Sequence, residues 1–188
     1  MTEIYIPSHI HIKNFITPDF CDDIIKHCEK EKQHLAKLNR ISDYKKILQT
    51  RYSYISFHND KYILDNLSKQ SFEKNSNSYK FDIDLPTYFH YITYIEKGFF
   101  DWHCDLIMNS PTQDRDEKMR KLTLIILLND DFEGGKFCIH KGNSKEILIP
   151  LEKGDAVLHP SFISHKVFPV LKGVRKTAVV MFTGPNFK

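Results

Sequence analysis

The chain of 188 residues lacks several things, and each shortage narrows what it can be. Its four cysteines, Cys21, Cys28, Cys104 and Cys138, show no C-x-x-C spacing, and no secretory signal precedes them. They read as reduced thiols of a cytosol-like compartment, packed as small hydrophobes. The longest apolar run, "LTLIILL", is far too short to cross a bilayer. No block of one charge sign stands out: the net charge is only +3, and "EKEKQHLAKLNR" mixes signs as a solvated helix face does. A nucleic-acid partner is therefore not indicated. The expectation is a soluble cytoplasmic protein with no membrane partner.

What is present is enough for a packed domain. Hydrophobic residues make up 41% and aromatics 13% of the chain, which argues against disorder. Residues 1–16 alternate weakly and predict an opening strand. "TPDFCDDIIKHCEKEKQHLAK" then predicts a helix capped by Thr17, with Pro18 in its first position and His27 and His34 on its surface. "NDKYILDNLSKQSFEK" predicts a second helix, capped by Asn59 or Asp60, with Tyr62, Ile63, Leu67 and Phe72 on its apolar side. From residue 79 the texture changes to short β-rich runs: "YKFDIDL", "YFHYITYI", "FFDWHCDL", "KLTLIILL", "GKFCIHK", "KEILIPL", "DAVLHPS", "HKVFPVL" and "RKTAVVMF". Turn signals such as "NDDFEGG" and "EKGD" separate them. The chain is thus mainly β with N-terminal helices. Residues 1–78 form a helical support region and 79–188 a β-barrel or jelly-roll core, in one compact domain.

The pattern His-x-Asp occurs twice, as His58/Asp60 and His103/Asp105. With ten histidines and 15 aspartates, roughly one such pair is expected by chance. Asp60 already has a capping role, and nothing downstream supplies a third donor in register. His103 and Asp105 lie in a β run, where residues i and i+2 share a face and both can point into a barrel. His165, from "SFISHKVFPV", can complete the set of two imidazoles and one carboxylate that suits iron(II) with open positions. Arg175 opens the last β run. It either pairs with a surface acid or, buried in the barrel, takes the carboxylate of a ligand. Trp102 has the opposite parity to His103 and should pack outside the barrel. His140 lies near a turn and is expected to be exposed.

These blocks, "YIEKGFFDWHCD", "RKLTLIILLNDDFEGGKF", "GDAVLHPSFISHKVFPVLKGVR" and "KTAVVMF", resemble those of the iron(II)/2-oxoglutarate-dependent dioxygenases, in particular the prolyl 4-hydroxylase-like (PKHD-type) branch. The resemblance implies a double-stranded β-helix, with His103, Asp105 and His165 holding iron(II) and Arg175 binding the distal carboxylate of 2-oxoglutarate. It implies that Tyr94 lines the 2-oxoglutarate pocket and that Gly134 and Gly135 open a tight turn. It implies O2 as co-substrate and ascorbate as a reductant. Some relatives carry a second tyrosine where this chain has Leu127, and Thr123 is the substitute expected for that contact. His159 stands where many relatives have phenylalanine, and reads as pocket lining or buried structure ahead of a fourth ligand. In related halogenases the aspartate is Gly or Ala, so Asp105 points to hydroxylation.

The implied function is hydroxylation of a C–H bond, on a protein or peptide residue in the manner of prolyl 4-hydroxylases, with release of succinate and CO2. The alternatives are the same chemistry on a free amino acid or small metabolite, or an inert jelly-roll binding module. "YSYISFHND" and "IMNSPTQDRDEKMRK" are expected around the mouth, the second as a lid or a plain solvent loop.

Overall fold

The computed structural model describes residues 6–37, 48–106, 118–141 and 145–187. Its N-terminal part runs β1 (Ile10–Ile12), α1 (Pro18–Cys28), β2 (His34–Leu35), β3 (Arg51–Tyr52), β4 (Tyr54–His58) and α2 (Lys61–Lys74). The β-rich part runs β5 (Phe89–Tyr94), β6 (Phe99–His103), β7 (Met119–Leu127), β8 (Phe132–Gly134), β9 (Phe137–His140), β10 (Glu146–Ile149), β11 (Ala156–Pro160), β12 (His165–Val167), β13 (Val170–Gly173) and β14 (Arg175–Gly184).

α1 starts where its sequence says. The Thr17 side chain accepts the Phe20 N–H and Pro18 fills the first turn. It ends at Cys28 because the apolar stripe ends there: Glu29 to His34 offer nothing to bury, and the Glu29 N–H closes on Ile25. His34 is consequently not helical but sits in β2, paired with β4. α2 is capped by Asp60, whose carboxylate accepts the Ile63 N–H at 2.9 Å. Ile63, Leu64 and Leu67 are buried, whereas Tyr62 lies on the other side and is 70% exposed, so it is not part of the apolar face expected for it.

A seven-stranded antiparallel sheet, ordered β1-β11-β7-β14-β5-β4-β2, carries both helices on one face. Phe89, Tyr91, Leu122, Leu124, Ile126, Ala178, Val180 and Phe182 pack there with Ile24, Leu64 and Leu67. Their alternate neighbours Ile92, Tyr94, Ile125 and Val179 face the opposite way and meet Phe100, Phe137, Ile139 and Val167 of a five-stranded sheet, ordered β10-β9-β12-β6-β3. The large sheet is thus buried on both faces, which is why "LTLIILL" reads as a continuous apolar run rather than an alternating one. β13 and β8 form a separate hairpin-like pair, held by Gly134 at φ +79°. A side chain there would collide with the Pro169 carbonyl at 2.6 Å. This two-sheet sandwich with a hollow interior is the expected jelly roll. β4 pairs β5 and β3 pairs β6, so residues before 79 supply strands to both sheets.

Three expectations need correction. "YKFDIDL" is not a strand: the Asn75 side chain takes both backbone polar groups of Phe81, which a neighbouring strand would otherwise need. "HKVFPVL" is two strands, β12 and β13, broken at Phe168 and Pro169. Cys21, Cys28 and Cys138 are buried, but Cys104 is exposed. Of "IMNSPTQDRDEKMRK", residues 107–117 lie outside the described residues. No helix among the described residues is long and apolar enough to cross a membrane.

Candidate functional site

The interior between the sheets opens into a cavity of about 520 Å³. His103, Asp105 and His165 meet at its wall, with one donor atom of each within 4.8 Å of the others. β12 lies beside β6 with His165 directly opposite His103, which brings together two histidines far apart in the chain. Asp105 is placed differently from the expectation that it shares a strand with His103. β6 ends at His103, and Asp105 lies on a bend two residues beyond it.

The remaining contacts fix which atom each residue presents. His103 Nδ1 is 2.7 Å from the Asp101 carbonyl and His165 Nδ1 is 3.1 Å from the Ile163 carbonyl. A carbonyl only accepts, so both Nδ1 atoms carry the proton and both Nε2 lone pairs are free. Those Nε2 atoms lie 3.9 and 3.6 Å from the two Asp105 oxygens, too far to hydrogen-bond and close enough to share one small cation. Burial pushes His165 down to about 4 and His103 in the same direction, so both imidazoles are neutral near pH 7. Burial works against the Asp105 carboxylate, but the attraction of His165, His103 and His159 as they gain protons in acid outweighs it, so Asp105 lies below the usual carboxylate range and is ionised at neutral pH. Two neutral imidazoles and one anionic carboxylate fit a divalent, octahedral, iron-type ion.

The second feature is Arg175. It opens β14 opposite Tyr94 on β5, is 2% exposed, and makes no ion pair among the described residues. Its guanidinium lies 5.5 Å from the Tyr94 ring centre, and burial lowers it to about 10, which leaves it charged at neutral pH. Gly135 lets it pass, since a side chain there would meet Arg175 Cδ at 2.9 Å. Both Arg175 and Tyr94 line the cavity.

Thr123 is not among the residues that line the cavity. It is fully buried, hydrogen-bonds Ser161 Oγ at 3.1 Å and supports the Asp105 carboxylate, which draws on its hydroxyl. His159 is buried beside His165, 4.6 Å between ring centres, with Nδ1 on the Pro160 carbonyl and Nε2 without a partner. It stands apart from the three clustered donors. Trp102 points outward under Lys166 and against His140, whose side chain is half-buried rather than exposed. Cys104 borders the cavity. Arg51 also lines the cavity and was not apparent from sequence: it immediately precedes the stretch expected at the mouth, and a lone arginine carries no motif.

Similarity to known proteins adds to this picture. Over 88 residues the chain is 34% identical to a PKHD-type hydroxylase of Alteromonas mediterranea, covering 46% of this chain and 38% of that protein. A PKHD-type hydroxylase of Pseudomonas putida is 32% identical over 87 residues, again 38% of its length. The match thus spans well under half of each curated relative. Among solved structures, a Pseudomonas putida prolyl-4-hydroxylase superposes with a TM-score of 0.73 at 16% identity, over 96% of this chain and 94% of that one. A Trichoplax adhaerens prolyl hydroxylase, solved with a hypoxia inducible factor peptide fragment, superposes with a TM-score of 0.75 at 15% identity, over 94% and 84% of the two chains. These superpositions show that the fold is shared. Residues 89–184, just over half of the chain and the part that holds the two histidines, the aspartate and Arg175, match the model of the 2OG-Fe(II) oxygenase superfamily, and the chain belongs to that superfamily.

Proposed function

We propose that the protein is an iron(II)- and 2-oxoglutarate-dependent dioxygenase that hydroxylates a C–H bond of a protein or peptide residue, in the manner of a prolyl 4-hydroxylase. The observation that carries the proposal is the placing of an unpaired, buried Arg175 on the same cavity as the His103–Asp105–His165 cluster. The family supports the cofactors, and the curated and structural relatives, named PKHD-type and prolyl hydroxylases, support the substrate class.

In this reading His103 Nε2, His165 Nε2 and Asp105 hold the metal, and Arg175 receives the distal carboxylate of 2-oxoglutarate beside Tyr94. When bound, iron with 2-oxoglutarate and O2 supplies the conversion of C–H to C–OH, and 2-oxoglutarate leaves as succinate and CO2. The chain's own work is to position and to exclude water. Ile92, Ile125 and Val179 give the cavity a dry wall, in which a charge-assisted pair to Arg175 is strengthened. Thr123 holds Asp105 in place. Residues 79–188 carry the metal and 2-oxoglutarate groups, and 1–78 buttress them and add Arg51 to the cavity wall. The four free cysteines support a reducing, cytoplasmic setting.

The test is an anaerobic titration of metal-free protein with iron(II) and 2-oxoglutarate, read by the visible charge-transfer band of the chelate. The native protein gives the band, Asp105→Ala abolishes it, and Arg175→Ala raises the 2-oxoglutarate concentration needed by roughly 10- to 100-fold. A native protein with no band and no bound iron overturns the proposal.

A further inference from the structure

Among the described residues, the charges on the cavity wall do not balance. Lys37, Arg51, Arg120 and Arg175 line it, and among the described residues Asp105 is the only carboxylate that does. Given the function proposed for this site, on which this inference rests, the charges of iron(II) and of doubly negative 2-oxoglutarate cancel. Among the described residues the loaded site therefore keeps an excess of positive charge; Arg175 has its partner in 2-oxoglutarate and Arg120 donates to the Asp105 carbonyl.

Arg51 is the most constrained of the others. It opens β3 beside Phe100 of β6 and is 8% exposed. Its Nε donates to Ser53 Oγ at 2.6 Å, and its guanidinium carbon lies 4.4 Å over the Phe100 ring. One edge and one face are thereby fixed, while Nη2 is buried with no hydrogen-bond partner among the described residues. An unsatisfied buried donor is costly, and one on a charged group more so. A guanidinium locked on two sides, on a side chain that lines the cavity and with one donor unmet, is prepared for an oxyanion. At another part of the same wall Phe57 and Tyr88, both largely exposed, flank His90, with ring centres 4.8 and 5.5 Å away, and offer an apolar lip.

We infer that the substrate carries a carboxylate next to an apolar body, and that Arg51 is the residue that selects it. The carboxylate belongs to an acidic side chain beside the target residue, to a peptide C-terminus, or to a free amino acid, and all three present the same group to Arg51.

Matched pairs of probes test this. Calorimetry under nitrogen, on protein loaded with iron(II) and 2-oxoglutarate, compares a capped proline-containing peptide bearing Glu with the same peptide bearing Gln. It also compares a free-terminus peptide with its amide, and L-proline with L-prolinamide. At least one carboxylate probe binds tenfold or more tightly than its neutral counterpart, and the winning pair identifies the source. Arg51→Gln abolishes that preference while keeping the charge-transfer band, which reports an intact fold and centre. A band in the native protein with no tenfold preference in any pair overturns this inference alone, whatever the variant does. A preference that survives Arg51→Gln also overturns it. No band in the native protein overturns the underlying function and this inference together.

Discussion

The two His-x-Asp pairs show how little the motif says by itself. His58 and Asp60 diverge at once: Asp60 caps α2 through the Ile63 N–H, while His58 turns inward, its Nε2 2.7 Å from Ser56 Oγ and its ring among His27, Phe89 and Tyr91. His58 Nδ1 is buried without a partner, yet among the described residues no further donors gather with it and Asp60 into a cluster of three. His103 instead commits Nδ1 to a backbone carbonyl, keeps Nε2 free, and has an identically committed histidine across the ladder from it. The difference lies in the second nitrogen and the neighbouring strand, and neither is part of the motif.

The comparison breaks most visibly at the two aspartates. Asp105→Ala removes the only anionic donor of the cluster, and iron affinity falls by more than about 100-fold, beyond what loss of a supporting residue causes. Asp60→Ala leaves iron affinity unchanged. Metal analysis after equilibrium dialysis reads both, and equal losses in the two variants would mean that the wrong pair was chosen. A smaller effect is expected at Thr123. Thr123→Val keeps the volume but withdraws the hydroxyl from Asp105, and iron affinity falls by about 10-fold while 2-oxoglutarate affinity in the loaded protein holds. A loss confined to 2-oxoglutarate would return Thr123 to the role first expected of it.

The sequence was legible where burial leaves a repeating trace. Strands covered on both faces appear as "LTLIILL" and "TAVVMF", and the α1 start as Thr-Pro with acids following. His103, His165 and Arg175 were picked out by the His-x-Asp pattern and the family resemblance, and of the three only Arg175 stands in a strand buried along most of its length. Asp105 was identified for a partly wrong reason, since parity cannot be extended past the end of β6. The segment at Phe81 alternates like a strand, and only the tertiary position of Asn75 reveals that its hydrogen bonds go elsewhere. Arg51 was missed because its meaning rests on what lies across the barrel, which one position in a sequence does not encode.

Acid probes the first pair's histidine through its burial. Burial lowers His58 below its ordinary value, and lowers His90, which pairs with the adjacent Phe57 across β4 and β5, from 6.5 to about 4. As pH falls from 6.5 toward 4 the unfolded chain takes up protons that the folded chain does not. Stability present above pH 6.5 is therefore lost on that descent, by up to about 1.4 kcal/mol per pH unit for each such group. Urea midpoints of metal-free protein at pH 7 and pH 5 measure this, and His58→Gln flattens the slope by its own share. An unchanged slope would mean that His58 charges freely in the folded protein.

The smallest effect isolates what Asp60 does. Its carboxylate satisfies one of the orphan N–H groups at the start of α2, where Lys61 supplies no acid of its own to the first turn. Asp60→Ala should cost about 1 kcal/mol and lower the melting temperature by roughly 2–4 °C. Asp60→Ser restores most of the loss, because a hydroxyl caps as well as a carboxylate. Asp60→Asn should do the same, since its side-chain oxygen also accepts. If the cap is the whole role, all three variants bind iron like the native protein, and the ranking Ala below Ser and Asn appears in the melting temperature alone. An iron-affinity change that tracks the same ranking would instead couple α2 to the metal centre through the sheet on which it packs.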